Sequence, residues 1–275
     1  MPAFVLDLRS DPRGGAVVPA RLTSGTLDEL QQCRSVVFMV HGFNVDRADG
    51  TVELTALGAR LPAMGAGATV AVLWPGDSIV GPLSYPFETS KADDSAVELA
   101  TYIGENLPQQ PAISFIGHSL GCRVVMETVR QLWMKGIAVS QVCVMAAAID
   151  NDSLGAAVEY FNAAEFAARV GVLWSPSDQV LEFAYPLGNL LSAFIHWSAT
   201  SDAALGYTGP RASRSPPGDP PADVQGVGIP ADYGGGGVNH GDYLPDAQGN
   251  LSDKQQAAAR FANSMLGGDA PLSYG

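Results

Sequence analysis

The residues around position 119 have the types and the spacing of a nucleophilic serine. Ser119 has Gly117 two positions before it and Gly121 two positions after it. An apolar run rich in β-branched residues precedes this motif at 113–116, and an amphipathic stretch follows at 122–135, which together predict a strand, a sharp turn and a helix. Such a turn strains the backbone of the serine and requires small neighbours, which the two glycines supply. We therefore predict that Ser119 presents its hydroxyl as a nucleophile.

A serine nucleophile needs a general base, and the sequence offers four histidines, at positions 41, 118, 196 and 240. His118 lies inside the turn, and its side chain is expected to point away from Ser119. His41 ends a strand that precedes the motif, out of order for a base. His196 lies in an apolar stretch that favours a structural role, whereas His240 lies in a Gly-rich loop before the last predicted helix. A loop at the edge of a sheet lets a base reach two proton partners, so we predict His240, with His196 as the alternative.

Two aspartates that follow predicted strands are candidates for the acid that orients the base. Asp178 lies in a Pro-containing turn after the second strand beyond the serine motif, and Asp150 ends the strand between them. Each aspartate also precedes a predicted helix, where a structural role as N-cap is open. We predict Asp178 as the acid and keep Asp150 as the fallback.

The oxyanion formed in acyl transfer needs backbone N–H donors. One donor is usually the residue after the nucleophile, here Leu120, and the second comes from the loop after the first central strand. In that loop Gly42 lets the backbone turn close to the substrate, so the N–H of Phe43 is expected to point inward. We predict Phe43 and Leu120 as the oxyanion hole.

The elements that must position these residues alternate along the chain. Buried strands are predicted at 36–40, 69–74, 112–118, 142–146 and 170–174, with helices between them. This alternation predicts an α/β fold with a mostly parallel central sheet and helices on both faces. Ligands of such sheets bind beyond the carboxyl ends of the strands, which places five special positions along one edge. They are His41, Trp74, Ser119, Asp150 and Asp178.

The pattern is weaker at both ends of the chain. Residues 3–9 are a possible first strand, 10–34 mostly loop, 223–229 a possible short last strand and 252–266 a final helix. Further helices are predicted at 52–61, 93–107 and 153–168.

Composition limits the classes of function. The chain has 275 residues, 47% hydrophobic and 16% charged, so we predict a single domain over 1–275 with one sizeable core. A net charge of −13 argues against nucleic acid and against a basic patch for anionic membranes. Three cysteines, Cys33, Cys122 and Cys143, lack metal-ligand spacing and are expected to be reduced and buried. No secretory signal and no apolar run of about 18 residues is present, so no membrane span and a cytoplasmic location are expected.

Four motifs together resemble a known family. They are His41-Gly42-Phe43-Asn44, Leu73-Trp74-Pro75-Gly76-Asp77, Gly117-His118-Ser119-Leu120-Gly121 and Asn239-His240. In the order Ser119, Asp178, His240, the chain resembles the α/β-hydrolase superfamily over residues 35–266. The four motifs are similar to those of an uncharacterised, mainly bacterial group of these hydrolases. The resemblance implies hydrolysis of an ester, thioester or amide through an acyl-enzyme, and the group implies little about the substrate.

The sequence therefore predicts a carboxylesterase-like or lipase-like serine hydrolase acting on a small-molecule ester or thioester, without a metal or cofactor. The oligomeric state is not indicated. Segments 77–91 and 180–205 are predicted either to cap the site or to pack as ordinary core. Two other functions stay open, namely an acyltransferase or thioesterase on the same fold, and a catalytically silent hydrolase-like binding protein.

Overall fold

The structure is a computed structural model of the chain. It describes residues 3–62, 67–77, 85–107, 112–183, 203–214, 216–267 and 272–274, without the side chains of 85–88.

An eight-stranded sheet forms the centre of the fold. Its strands are β1 (Ala3–Arg9), β2 (Val17–Ser24), β3 (Val36–Val40), β4 (Ala68–Leu73), β5 (Ile113–His118), β6 (Val139–Met145), β7 (Ala167–Trp174) and β10 (Val224–Gly228). Two short strands, β8 (Ser213–Arg214) and β9 (Pro217–Gly218), form a separate ribbon. The order in the sheet is β10-β7-β6-β5-β3-β4-β1-β2, and every pair is parallel except the antiparallel pair of β1 and β2. The carboxyl ends of the parallel strands therefore share one edge.

Helices cover both faces of this sheet. They are α1 (Leu27–Gln31), α2 (Arg47–Gly58), α3 (Tyr85–Asn106), α4 (Gly121–Met134), α5 (Phe161–Phe166), α6 (Leu205–Thr208) and α7 (Asp253–Leu266). Helices α3, α4 and α5 contribute to the apolar core on one face, and α2 and α7 to the core on the other. Successive residues of β3 divide between them, since Phe38 packs on Phe115 in the first core and Met39 lies in the second. The predicted α/β class, a mostly parallel sheet with helices on both faces, is confirmed.

One strand escaped prediction. The stretch 10–34 was expected to be mostly loop, yet β2 runs through it and pairs with β1. Pro19 lacks an amide donor, and half of the strand is exposed. The sequence of this segment therefore lacks the buried apolar run that predicts a strand. An edge strand tolerates such a proline because one side of it needs no partner.

The predicted helix at 153–168 is wrong over its first half. Residues 151–160 form turns, and only Phe161–Phe166 is helical. Gly155 lies against the β8–β9 ribbon, where an added Cβ would come within 2.8 Å of the Ser213 Cβ. The Ala156 amide donates to the Gly218 carbonyl at 3.2 Å, a long-range bond that replaces a helical one. Tertiary contact thus overrides the local helical pattern.

Other boundaries differ in smaller ways. Helix α2 begins at Arg47 rather than at 52, because the Asp46 side chain caps it by accepting from the Ala48 and Asp49 amides. Helix α3 begins at Tyr85 rather than at 93, so the last part of the predicted cap segment 77–91 is helical.

Most of the two predicted cap segments lies outside the described residues, at 78–84 and 184–202. The described part of segment 180–205 comprises the end of a short helical stretch at 179–183 and the residues 203–205. Among the described residues, no helix has the length and apolarity needed to span a membrane. No disulfide joins the three cysteines, all of which the structure describes; Cys122 and Cys143 are buried as expected, and Cys33 is partly exposed.

Candidate active site

The nucleophile candidate lies at the turn between β5 and α4. Ser119 has a φ of 55°, in the left-handed region that a non-glycine residue rarely adopts. Its amide donates to the Met145 carbonyl at 3.1 Å, and its carbonyl accepts from the amides of Cys122 and Ala148 at 3.0 and 3.1 Å. These three bonds to the surrounding chain hold the strained conformation in place.

The flanking glycines are required by close approach of the backbone. A Cβ on Gly117 would lie 2.9 Å from the Cys122 Cα, at the start of α4. A Cβ on Gly121 would collide with the carbonyl of His41 and lie 2.8 Å from that of Val40. Glycine therefore lets the first turn of α4 pack directly on the end of β3, which brings the loop after β3 next to Ser119.

His240 reaches Ser119 from the other end of the chain. It begins a short 3-10 helix, His240–Asp242, and its Nε2 lies 2.7 Å from the Ser119 Oγ. Its Nδ1 lies 2.8 Å from the Oδ2 of Asp178. A carboxylate only accepts, so Nδ1 carries the ring proton and Nε2 accepts from the Ser119 hydroxyl. We call Ser119, His240 and Asp178 the Ser119 cluster.

Asp178 combines the two roles that the sequence left open. Its side chain is fully buried. While Oδ2 faces His240, Oδ1 accepts from the Leu181 amide at 3.0 Å and so caps the helical stretch at 179–183. Asp150, the fallback, lies after β6, where its backbone bridges to Ala204. His196, the alternative base, lies outside the described residues.

The loop that carries His240 is anchored at several points. The Asn239 side chain accepts from the Gln179 amide at 3.3 Å, next to Asp178. The Gln255 side chain, on α7, donates to the Gly241 carbonyl at 3.1 Å. A nominally flexible Gly-rich loop is thus fixed on both sides of the imidazole.

The two predicted oxyanion donors flank the serine. An added Cβ on Gly42 would lie 2.9 Å from the Ser119 Cβ, so the backbone leading into Phe43 touches the nucleophile. Leu120 follows Ser119 directly and precedes the first residue of α4. Within the described part of the chain, neither the Phe43 nor the Leu120 amide donates a hydrogen bond.

His41 ties two strand ends together. Its ring is fully buried, and Nδ1 lies 2.9 Å from the Gly42 carbonyl, which can only accept. Nε2 then accepts from the Trp74 amide at 3.4 Å, and the Trp74 indole donates to the His41 carbonyl at 2.9 Å. Burial lowers the pKa of His41 from 6.5 to about 4, so the ring is neutral at physiological pH.

A buried ion pair lies beyond Trp74. The Arg9 side chain is fully enclosed and pairs with Asp77. Its other nitrogens donate to the carbonyls of Asp11, Val45 and Trp74 at 2.9, 3.2 and 3.5 Å. These bonds connect β1 to the loops after β3 and β4. We call Arg9, Asp77, His41 and Trp74 the Arg9 cluster.

Sequence reasoning found neither Arg9 nor the contact that His118 makes. The His118 ring does not reach the Ser119 hydroxyl; its Nε2 lies 2.9 Å from the backbone carbonyl of His240. Burial and the nearby His240 lower the pKa of His118 to about 3. The sequence His118-Ser119 does indicate an imidazole beside the nucleophile. The hydrogen-bond partner of that imidazole is a backbone oxygen 122 positions away, and no side-chain type in the sequence identifies such a partner.

Metal ligation has no candidate in the portion of the chain that the structure describes, since no group of three His, Cys, Asp or Glu side chains converges there.

Comparison with known proteins identifies the family. Residues 24–191 match the family described as alpha/beta hydrolase of unknown function (DUF900), which is more than half of the chain. No curated protein matches the sequence. Among solved structures, a carboxylesterase from Mesorhizobium loti is 16% identical, with 88% of this chain and 92% of that chain covered and a TM-score of 0.39. A type II thioesterase from the yersiniabactin NRPS/PKS biosynthetic pathway is 14% identical, with 54% and 76% covered and a TM-score of 0.35.

Similarities this distant say nothing about the substrate. The family match covers the strands β3 to β7, the serine turn and Asp178, and His240 lies beyond it. The chain belongs to the DUF900 family of α/β-hydrolases of unknown function.

Proposed function

We propose that this protein is a serine hydrolase that cleaves carboxylic esters or thioesters of small or medium acyl groups through an acyl-enzyme. The observation that carries the proposal is the line of two hydrogen bonds from the Ser119 Oγ through the His240 ring to the Asp178 carboxylate. Each group is in the protonation state that the first step needs, because Nδ1–H faces the acid and the Nε2 lone pair faces the hydroxyl.

The first step forms the acyl-enzyme. The Ser119 Oγ bonds to the substrate carbonyl carbon while His240 Nε2 takes the hydroxyl proton. The buried Asp178 carboxylate stabilises the resulting imidazolium and keeps the ring in one orientation. The tetrahedral intermediate collapses when the bond to the leaving oxygen or sulfur breaks and His240 gives its proton to that atom.

Water completes the cycle. His240 takes a proton from a water molecule while the water oxygen bonds to the acyl carbon. The second tetrahedral intermediate then collapses, and the bond between the acyl carbon and the Ser119 Oγ breaks. The proton returns to Oγ, so the products are a carboxylic acid and the restored serine. One water molecule is consumed, and nothing is oxidised or reduced.

Stabilisation of the two oxyanions is assigned to the backbone. The backbone before Phe43 contacts Ser119, Leu120 follows Ser119 directly, and neither amide has a partner in the described part of the chain. Leu120 also precedes α4, whose N-terminus adds a positive partial charge. Such fixed donors need no reorganisation as charge develops on the oxygen.

Covalent labelling tests the nucleophile directly. A fluorophosphonate probe reacts with an activated serine by forming an O–P bond and releasing fluoride. We expect one adduct, located at Ser119 by peptide mass spectrometry and absent from Ser119→Ala. Ser114→Ala is the matched control, because Ser114 lies on β5, the strand that leads into Ser119, and bonds to Gln141 away from the site. A wild-type chain that takes up no label would contradict the enzyme and favour a silent binding protein.

The substrate class is tested by turnover. A panel of p-nitrophenyl esters of rising acyl length, with matched thioesters, is expected to show hydrolysis that disappears in Ser119→Ala. Product analysis in the presence of alcohols separates hydrolysis from acyl transfer. Transfer to the alcohol in preference to water would contradict hydrolysis and make the protein an acyltransferase.

A further inference from the structure

His118 occupies a place that the proposed mechanism does not use. It is the last residue of β5 and directly precedes Ser119, yet its ring turns toward the loop that carries His240. We propose that His118 is a positioning residue, whose Nε2–H holds the His240 backbone carbonyl and so sets the distance between the base and the Ser119 hydroxyl. This inference rests on the proposed function, because it assigns to His118 an effect on a base.

The direction of the hydrogen bond is fixed by its acceptor. The His240 carbonyl oxygen can only accept, so His118 must donate from Nε2 across the 2.9 Å contact. The ring stays neutral because burial lowers its pKa to about 3. His118 is therefore a single, pH-independent donor over the range in which esterases are assayed.

The ring has little freedom to leave this position. It packs against the His240 ring with centroids 5.0 Å apart and against Tyr243 at 5.8 Å. On the side of the β3 loop, a Cβ on Gly42 would come within 3.1 Å of its Nδ1. The imidazole thus fills the gap between the predicted oxyanion loop and the base.

This contact anchors the base at its own residue. The Asn239 and Gln255 side chains hold the positions on either side of His240, whereas the His118 ring bonds to the backbone oxygen of His240 itself. Because His118 and Ser119 are neighbours in sequence, the nucleophile and the anchor of its base move together. A displacement of about 1 Å at a reacting group costs up to about 10²-fold in rate, which sets the scale of the effect.

Two substitutions separate the hydrogen bond from the packing. His118→Phe keeps a ring between Gly42 and His240 but removes the donor, whereas His118→Gln keeps an N–H donor of similar reach. We expect His118→Phe to lower kcat by about 10- to 100-fold with KM changed less than about twofold, and His118→Gln to recover most of the loss. Unfolding curves of both variants identify the folded fraction to which each rate is referred. Equal kcat for His118→Phe and wild type would overturn the proposal, as would equal losses in both variants.

Coupling to the base gives a second test. His118 is proposed to act through His240, so His118→Phe in a His240→Ala background should lower the residual rate of p-nitrophenyl ester hydrolysis by less than about twofold. A slowdown as large as in the chain with His240 would assign His118 a general structural effect and overturn the proposal.

A spectroscopic test needs no turnover. The His240 Nδ1–H that faces Asp178 is expected to give a downfield proton resonance protected from exchange. His118→Phe should broaden or remove it, and His118→Gln should retain it; an unchanged resonance in His118→Phe would overturn the inference. A wild type that hydrolyses and labels nothing contradicts the proposed function alone, because this resonance still tests whether His118 holds His240.

Discussion

Two polar clusters lie at the same edge of the sheet, and they differ in what their atoms are free to do. We call the Arg9 cluster closed, because its side-chain nitrogens are already hydrogen-bonded within the chain. The guanidinium binds Asp77 and three backbone carbonyls, and both His41 ring nitrogens have backbone partners. The Ser119 cluster is open at one end, since the Ser119 oxygen is bonded to His240 through its proton and retains lone pairs. Both clusters contain an imidazole beside a strand end.

The contrast qualifies the rule that polar residues at the carboxyl ends of parallel strands mark a ligand site. The rule placed His41, Trp74 and Ser119 along one edge, and the structure does so. Of these three residues, only Ser119 keeps an atom with lone pairs free to react, its hydroxyl oxygen. His41 and Trp74 bond to each other and to the backbone. The position of a residue at a strand end therefore makes it a candidate for a ligand site. Whether its hydrogen-bonding atoms are already paired within the chain separates a reactive residue from a structural one.

The largest expected effect falls on the open cluster. Ser119→Ala and His240→Ala should each lower kcat by up to about 10⁶-fold, because each removes a member of one acting unit. The double variant should lose no more than either single one, which steady-state kinetics on a p-nitrophenyl ester will show. Additive losses would mean that the two side chains act separately, and a His240→Ala enzyme with nearly full rate would move the base to His196.

A smaller loss is expected at the acid. Asp178→Asn should lower kcat by about 10⁴-fold, since the amide favours the wrong tautomer of His240. Asparagine still caps the helical stretch at 179–183, so folding is expected to survive the change. Asp150→Asn is the matched control, and its kcat on folded protein should stay within about threefold of wild type. Equal losses in both variants would contradict Asp178 as the orienting acid.

The sequence predicted most of what organises the open cluster. Apolar runs and glycine spacing are local signals, so the central strands and the turn at Ser119 were readable, and the α/β-hydrolase fold is confirmed. Elimination among four histidines named His240, which the structure places at 2.7 Å from the Ser119 oxygen. The catalytic roles of Ser119, His240 and Asp178 stay a prediction until turnover is measured.

The closed cluster was not readable, for a physical reason. Arg9 and Asp77 meet only because β1 pairs with β4 in one register, which no local pattern specifies. The same holds for Gly155, whose contact with the β8–β9 ribbon suppresses a helix that the local pattern favours. Long-range contacts to backbone atoms leave the weakest trace in a sequence.

Breaking the closed cluster should lower the free energy of unfolding strongly and kcat only weakly. Asp77→Asn leaves the Arg9 charge buried without its counter-ion, so the free energy of unfolding should fall by about 3–5 kcal/mol. The kcat of the molecules that remain folded should change less than about tenfold. Asp93→Asn is the control, because its pair with Arg123 is partly exposed, and it should cost less than about 1 kcal/mol. Chemical denaturation measures both, and similar losses in the two variants would remove the distinction between buried and surface pairs.

The smallest expected effect is the response of the closed cluster to acid. The folded state depresses the pKa of His41 from 6.5 to about 4, chiefly by burial, whereas the unfolded chain restores its ordinary value. The unfolded state therefore binds more protons below pH 6.5, and the stability present above that pH is lost as pH falls toward 4. Between pH 7 and pH 5 this one ring should remove about 2 kcal/mol from the free energy of unfolding.

His41→Gln isolates that contribution. Other groups titrate in the same interval, among them His118 and Glu53, whose pKa burial and neighbouring aspartates raise to about 7. They are common to both proteins, so the difference between the two slopes of unfolding free energy against pH reports chiefly on His41, together with its small charge effect on His118. The variant should be less stable at pH 7 and less sensitive to acid. Parallel slopes would mean that His41 takes up its proton in the folded state, and a ring that can do so is not enclosed by Gly42 and Trp74 as the closed cluster requires.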